Sequence, residues 1–139
     1  MIDSQTAAQA LLQDYYSVFN SGDREAMLAL LSEDVVHDIN QGGVEVGREA
    51  FRAFLQRMDR CYAEQVEELV VFASSDGSRG AAVFHIPGTC VARDEGLPPA
   101  TGQKYRLRVG AFFDLRGGKV ARVTNYYNLE DWLRQVGAN

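Results

Sequence analysis

The chain carries few side chains suited to covalent or metal chemistry, and their spacing narrows the choice further. Its two cysteines, Cys61 and Cys90, and its two histidines, His37 and His85, are scattered along the sequence. None stands at the intervals of a zinc or iron–sulfur site, so no metal centre is expected. No serine or cysteine sits in the tight strand-to-helix turn that presents a hydrolase nucleophile. Gly42-Gly43 and Gly117-Gly118 are turn glycines, without the strand-to-helix loop that cradles a phosphate. Carboxyl, phenol and imidazole groups remain, and what acid–base work they could do depends on where the fold puts them. Asp38 closes the run Asp34-Val35-Val36-His37-Asp38. Buried beside Tyr15, its carboxyl would be pushed by desolvation toward the pKa of a working base. Two plainer roles stay open: Asp38 accepting N–H groups from a turn at Gln41 and Gly42, and Tyr15 as a core tyrosine bonded to a backbone carbonyl.

These residues need elements to position them. Ala8, Leu11, Leu12, Tyr15, Val18 and Phe19 recur at helical steps, which puts Tyr15 on the buried face of a first helix and Tyr16 off it. Asn20-Ser21-Gly22 ends that helix. Asp23 caps a second, whose inner positions are Met27, Leu30 and Leu31. Val35–Asn40 reads as a strand, and Phe51, Phe54, Leu55 and Met58 mark a third helix that ends near Arg60 or Cys61. The second half changes period. Val66–Ala73, Arg79–Ala92, Tyr105–Leu115 and Lys119–Asn128 read as four antiparallel strands, with Gly117-Gly118 as a two-residue hairpin turn. In the third of these, Tyr105, Leu107, Val109, Ala111 and Phe113 alternate with Arg106, Arg108, Gly110, Phe112 and Asp114. Asn128 caps a short terminal helix carrying Leu129, Trp132, Leu133 and Val136. The 93–104 connection, with Pro98-Pro99 in it, is long enough to be a lid, a dimer arm or a stiff solvent loop. The sum is one α+β domain over 1–139, with helices on one face of a curved antiparallel sheet.

Composition excludes several partners. The 139 residues carry a net charge of −5 with no basic run, so a nucleic-acid footprint is missing. Apolar runs such as Leu69–Ala73 are a handful of residues where a membrane span needs about 20. Two thiols suit a reducing, cytoplasmic setting better than a disulfide scaffold.

The order of elements, the Tyr15…Asn20-Ser21-Gly22-Asp23 helix end, the Asp34–Asp38 strand, the Val46-Gly47-Arg48-Glu49-Ala50-Phe51 helix start and the closing Val123–Asn128 strand together resemble the nuclear transport factor 2-like superfamily. Within it the chain looks most like the SnoaL-like and ketosteroid-isomerase-related proteins. The resemblance implies a cone-shaped sheet wrapped around the N-terminal helices, a cofactor-free isomerase-type reaction on a small apolar carbonyl compound, and a homodimer through the sheet face. Ketosteroid isomerases use an Asp base and hold the oxyanion with a Tyr and a neutral Asp. Carried over residue by residue, the Tyr falls on Tyr15. The base falls on Asp38 if one residue is deleted between Leu31 and Asp34; otherwise alternation turns His37 inward instead. The second acid falls near Ala111, where there is no carboxyl. His85, sharing a face with Val83 and Pro87, and Asn125, sharing one with Val123 and Tyr127, are expected to point inward. The implied pocket is Tyr15, Asp38, Phe54, His85, Asn125 and Tyr127. A non-catalytic binding module and an epoxide hydrolase using Asp38 and His85 are the alternatives.

Overall fold

Local signals set the helix boundaries of the computed structural model, which describes residues 3–137. Asp3 accepts from the Thr6 N–H to start α1 (Ser4–Ser21), and Gly22 ends it in the left-handed conformation with φ 81°. Asp23 caps α2 (Arg24–Leu28) by accepting from the Ala26 N–H. This helix is shorter than its apolar spacing suggests, because Leu31 already pairs with Val120 and opens β1 (Leu31–Asp38). β2 (Val44–Val46) pairs antiparallel with β1, and α3 (Arg48–Cys61) follows. It runs directly into β3 (Tyr62–Glu64), a strand too short to show alternation in the sequence. The remaining strands are β4 (Glu67–Ala73), β5 (Arg79–Cys90), β6 (Lys104–Arg116) and β7 (Lys119–Tyr126). Asn128 caps α4 (Leu129–Val136) by accepting from the Asp131 N–H.

The strands form one sheet in the order β2-β1-β7-β6-β5-β3, with β4 also paired to β5. Every pairing is antiparallel except β1 with β7, which is parallel. The sheet curls into a half-barrel around α1 and α3, so one face becomes an interior. Leu107, Val109, Ala111 and Phe113 of β6 lie on that inner face with Phe84 and Ala82 of β5 and Val123 of β7, all buried against Leu12, Tyr15 and Tyr16 of α1. Tyr16, expected off the buried side, is enclosed as well. Its ring packs on Phe84 and Phe113 because the curl covers more than one stripe of the helix. No described helix is long and apolar enough to cross a membrane.

Candidate functional site

The parity of β1 decides which of its polar side chains reaches the interior. His37 pairs with Val123 and Asp38 with Thr124 in the parallel register. Val123 is an inner residue, so His37 turns inward and is 2% exposed. Its imidazole sits between the rings of Phe51 and Phe54, at centroid distances of 4.7 and 4.5 Å. Its Nδ1 is enclosed without a hydrogen-bond partner. Burial depresses its pKa from 6.5 to about 4, against a smaller opposing pull from the Asp38 charge, so the ring is neutral at pH 7. Asp38 takes the opposite face. Arg122 holds it through two bonds of 2.8 and 2.9 Å, and Thr124 donates at 2.6 Å, which keeps its carboxyl below the usual range. The one-residue deletion that brought Asp38 inward is therefore not the right alignment. A bulge between Leu31 and Val36 sets the parity instead.

Tyr15 is buried where its helical spacing put it, edge-on to Tyr16 and Phe113 at 5.1 and 5.6 Å. Neither its hydroxyl nor that of Tyr16 forms a hydrogen bond among the described residues. Burial holds the Tyr15 phenol well above its ordinary pKa, so it is a donor at any physiological pH. Phe54 joins the same interior through His37, and Asn125 lies opposite Ala111 on the inner face. Tyr127 is half-buried, and its backbone is tied to Asn40 in both directions, by a donated bond to its carbonyl and an accepted one from its N–H. His85 goes the other way. Its neighbours Phe84 and Ile86 take the inner face, its register partner is the exposed Arg108, and its Nδ1 stands 3.4 Å from the Glu68 carboxylate on the outer surface. An epoxide-opening role that needs His85 in the pocket loses that group.

Two carboxyls missing from the sequence reading lie at the far end of α3. Tyr62 and Glu64 of β3 are opposite Cys90 and Gly88, both inner positions of β5. Tyr105 donates its hydroxyl to Glu64 across Gly88, where an added Cβ would come within 2.3 Å of the Tyr105 ring. That glycine is required by the crossing. Tyr62 donates to Asp94 at 2.9 Å, and Arg57 Nε lies 3.2 Å from the same carboxylate. Asp94 is thus a buried anchor for the 91–103 loop. Trp132 of α4 packs edge-on to Tyr62 and Tyr105 at 6.0 and 5.9 Å and closes this end. The Gly88 interruption of an otherwise β-forming run facing Tyr105 was the available sequence signal. No cluster of three or more His, Cys, Asp or Glu side chains suited to a metal ion occurs among the described residues.

A half-barrel sheet closed around N-terminal helices is the fold of the nuclear transport factor 2-like class. The SnoaL-like domain family matches residues 12–123, and the chain belongs to it. A candidate polyketide cyclase from Pseudomonas putida KT2440 is 56% identical, with 93% of this chain and 97% of that one covered at a TM-score of 0.92. Another from Xanthomonas campestris pv. campestris is 52% identical, covering 96% and 98% at a TM-score of 0.93. A third from Silicibacter sp. TM1040 is 48% identical with the same coverage and TM-score. No curated protein matches the sequence. The fold is thus one used by small-molecule-processing enzymes.

Proposed function

We propose that the chain is a cofactor-independent enzyme that moves a proton next to the carbonyl of a small apolar ring compound, held between α3 and the inner face of the sheet. His37 carries this reading. A buried polar atom without a partner costs about 1–3 kcal/mol, and Nδ1 of His37 is such an atom between two phenyl rings. A ligand oxygen would relieve that cost. Kept neutral, the imidazole donates an N–H to a developing oxyanion without bringing its own charge into the interior. The unpartnered Tyr15 phenol is a second donor, Asn125 a third, and Phe54 with Tyr127 grips the hydrocarbon. The similarity to candidate polyketide cyclases supports a substrate carrying more than one carbonyl. Binding of 2-naphthol, whose oxygen on a fused ring imitates an enolate, tests this by fluorescence. The wild-type protein is expected to bind it, and Tyr15→Phe and His37→Phe each to weaken binding at least tenfold. Equal affinity in all three proteins would remove the proposal.

We also propose a homodimer through the outer face of the sheet. Phe72, Ala81, Phe112 and Thr124 form one cross-strand row there, and Val70, Val83, Gly110 and Tyr126 the next. Phe72, Phe112 and Tyr126 are each more than half exposed, and the last two pack edge-on at 5.9 Å. Beside them is a depression of about 360 Å³ lined by Arg79, Asp114, Arg122 and Thr124. An apolar stripe rimmed by paired charges is the surface that a second copy, turned by a two-fold axis, would cover.

A further inference from the structure

The interior holds donors at one end of α3 and carboxyls at the other. Phe54 touches His37, and seven residues later Cys61 leads into β3, a rise of ~10 Å at 1.5 Å per residue. A fused-ring compound of that length would reach from the imidazole to Glu64 of β3 and Asp94 of the 91–103 loop. Of those two acids only one is committed to holding the fold. Asp94 is balanced by Arg57 and pins the 91–103 loop. The Glu64 carboxyl has no cation at contact distance among the described residues, and the one hydrogen bond it accepts there comes from the Tyr105 phenol. An unbalanced carboxyl set in an aromatic wall of Tyr62, Tyr105 and Trp132 is a poor structural device and a suitable proton carrier.

We infer that Glu64 is the catalytic base of this site, with Tyr105 as its positioning residue; the inference rests on the acid–base reading of the interior proposed above. In the forward step a carboxylate oxygen of Glu64 takes a proton from the carbon next to the substrate carbonyl. The C–H bond breaks, an O–H bond forms on Glu64, and the electron pair moves to the carbonyl oxygen, where His37 and Tyr15 donate. The proton on the Glu64 carboxyl exchanges with solvent while the enolate is held, and Glu64 then delivers a solvent-derived proton to a carbon of the enolate, which restores the carboxylate. The groups around the carboxyl are Tyr105 from β6, Cys90 from β5, Arg24 from α2, Asp59 from α3, and Tyr127 ahead of α4. Arg24 is itself paired with Asp59 at 2.8 Å. Burial outweighs them all and raises the Glu64 pKa above the ordinary carboxylate value, while the Tyr105 bond opposes the rise.

The test is deuterium uptake from D2O at the carbon next to the carbonyl of 2-tetralone, followed by NMR as a function of pH. Wild type is expected to accelerate uptake over buffer, with a rate that falls on the acid side as Glu64 protonates. Glu64→Gln should lose about 10²–10⁴-fold and the acid limb with it. Tyr105→Phe, which leaves the carboxyl in place, should move the limb to higher pH, since the lost bond favoured the charged form. Tyr15→Phe should slow uptake and leave the limb where it is. Acceleration by wild type that survives Glu64→Gln with the same limb would overturn the role of Glu64 and leave the site reading intact. No acceleration by wild type over buffer would remove the site reading and this role together.

Discussion

The imidazole of His37 makes the interior sensitive to acid. Its pKa in the fold is about 4 against 6.5 for an ordinary histidine. The unfolded chain therefore binds this proton first as pH falls. The stability tied to the neutral ring is complete above pH 6.5, drains away between 6.5 and about 4, and is gone below that, ~3 kcal/mol in all. His37→Phe, which keeps the ring packing on Phe51 and Phe54, should flatten this acid slope. Urea unfolding at pH 7, 5.5 and 4.5 measures it, and identical slopes in the two proteins would contradict the buried neutral ring. The neighbouring Asp38 behaves as a surface anchor between Arg122 and Thr124. One step of backbone parity thus separates a residue of the interior from a residue of the outer wall.

At the level of elements, the crossing of Tyr105 over Gly88 ties β3, β5 and β6 into one unit. Gly88→Ala puts a methyl into the Tyr105 ring, an overpacking expected to cost about 1–3 kcal/mol. In a Tyr105→Ala background the same change should be nearly free, because the obstructing ring is gone. A double-mutant cycle by chemical denaturation reads the coupling, and equal costs in both backgrounds would show that the ring does not dictate the glycine. The same strands explain what could be read from the sequence. α3 and β6 were legible because each has a single buried stripe, and on α1 the main stripe placed Tyr15 correctly while Tyr16, enclosed by the curl of the sheet, lay outside it. β5 was not, since it carries apolar residues on both faces, with Ala82 and Phe84 inside and Val83 and Pro87 outside. Alternation there has no contrast, and His85 was assigned to the wrong side. β1 has a bulge that no local signal announces, which left Asp38 and His37 as alternatives. β3 is three residues long, so Glu64 had no pattern to sit in, and the closing loop that delivers Asp94 has no period at all.

For the molecule as a whole, the outer face is the surface on which the proposed dimer would form. A lasting dimer needs roughly 800 Å² covered on each partner, and the exposed Phe72, Phe112 and Tyr126 stripe would be the centre of that area. Phe112→Glu would set two carboxylates against each other across a two-fold axis. Sedimentation should then show a dimer for wild type and a monomer for the variant, with the fold unchanged by circular dichroism; a wild-type monomer at high concentration would remove the dimer. The parallel pairing of β1 with β7 has a separate consequence for how the chain is made. Asp38 meets its Arg122 partner 84 positions later. At ribosomal speeds of ~5–20 residues per second, the β1 edge waits on the order of 4–17 s before its neighbour has been synthesised. During that interval only the small β2 hairpin guards it, so a slowed ribosome or a truncated message should yield insoluble nascent chains well before it yields misfolded full-length protein.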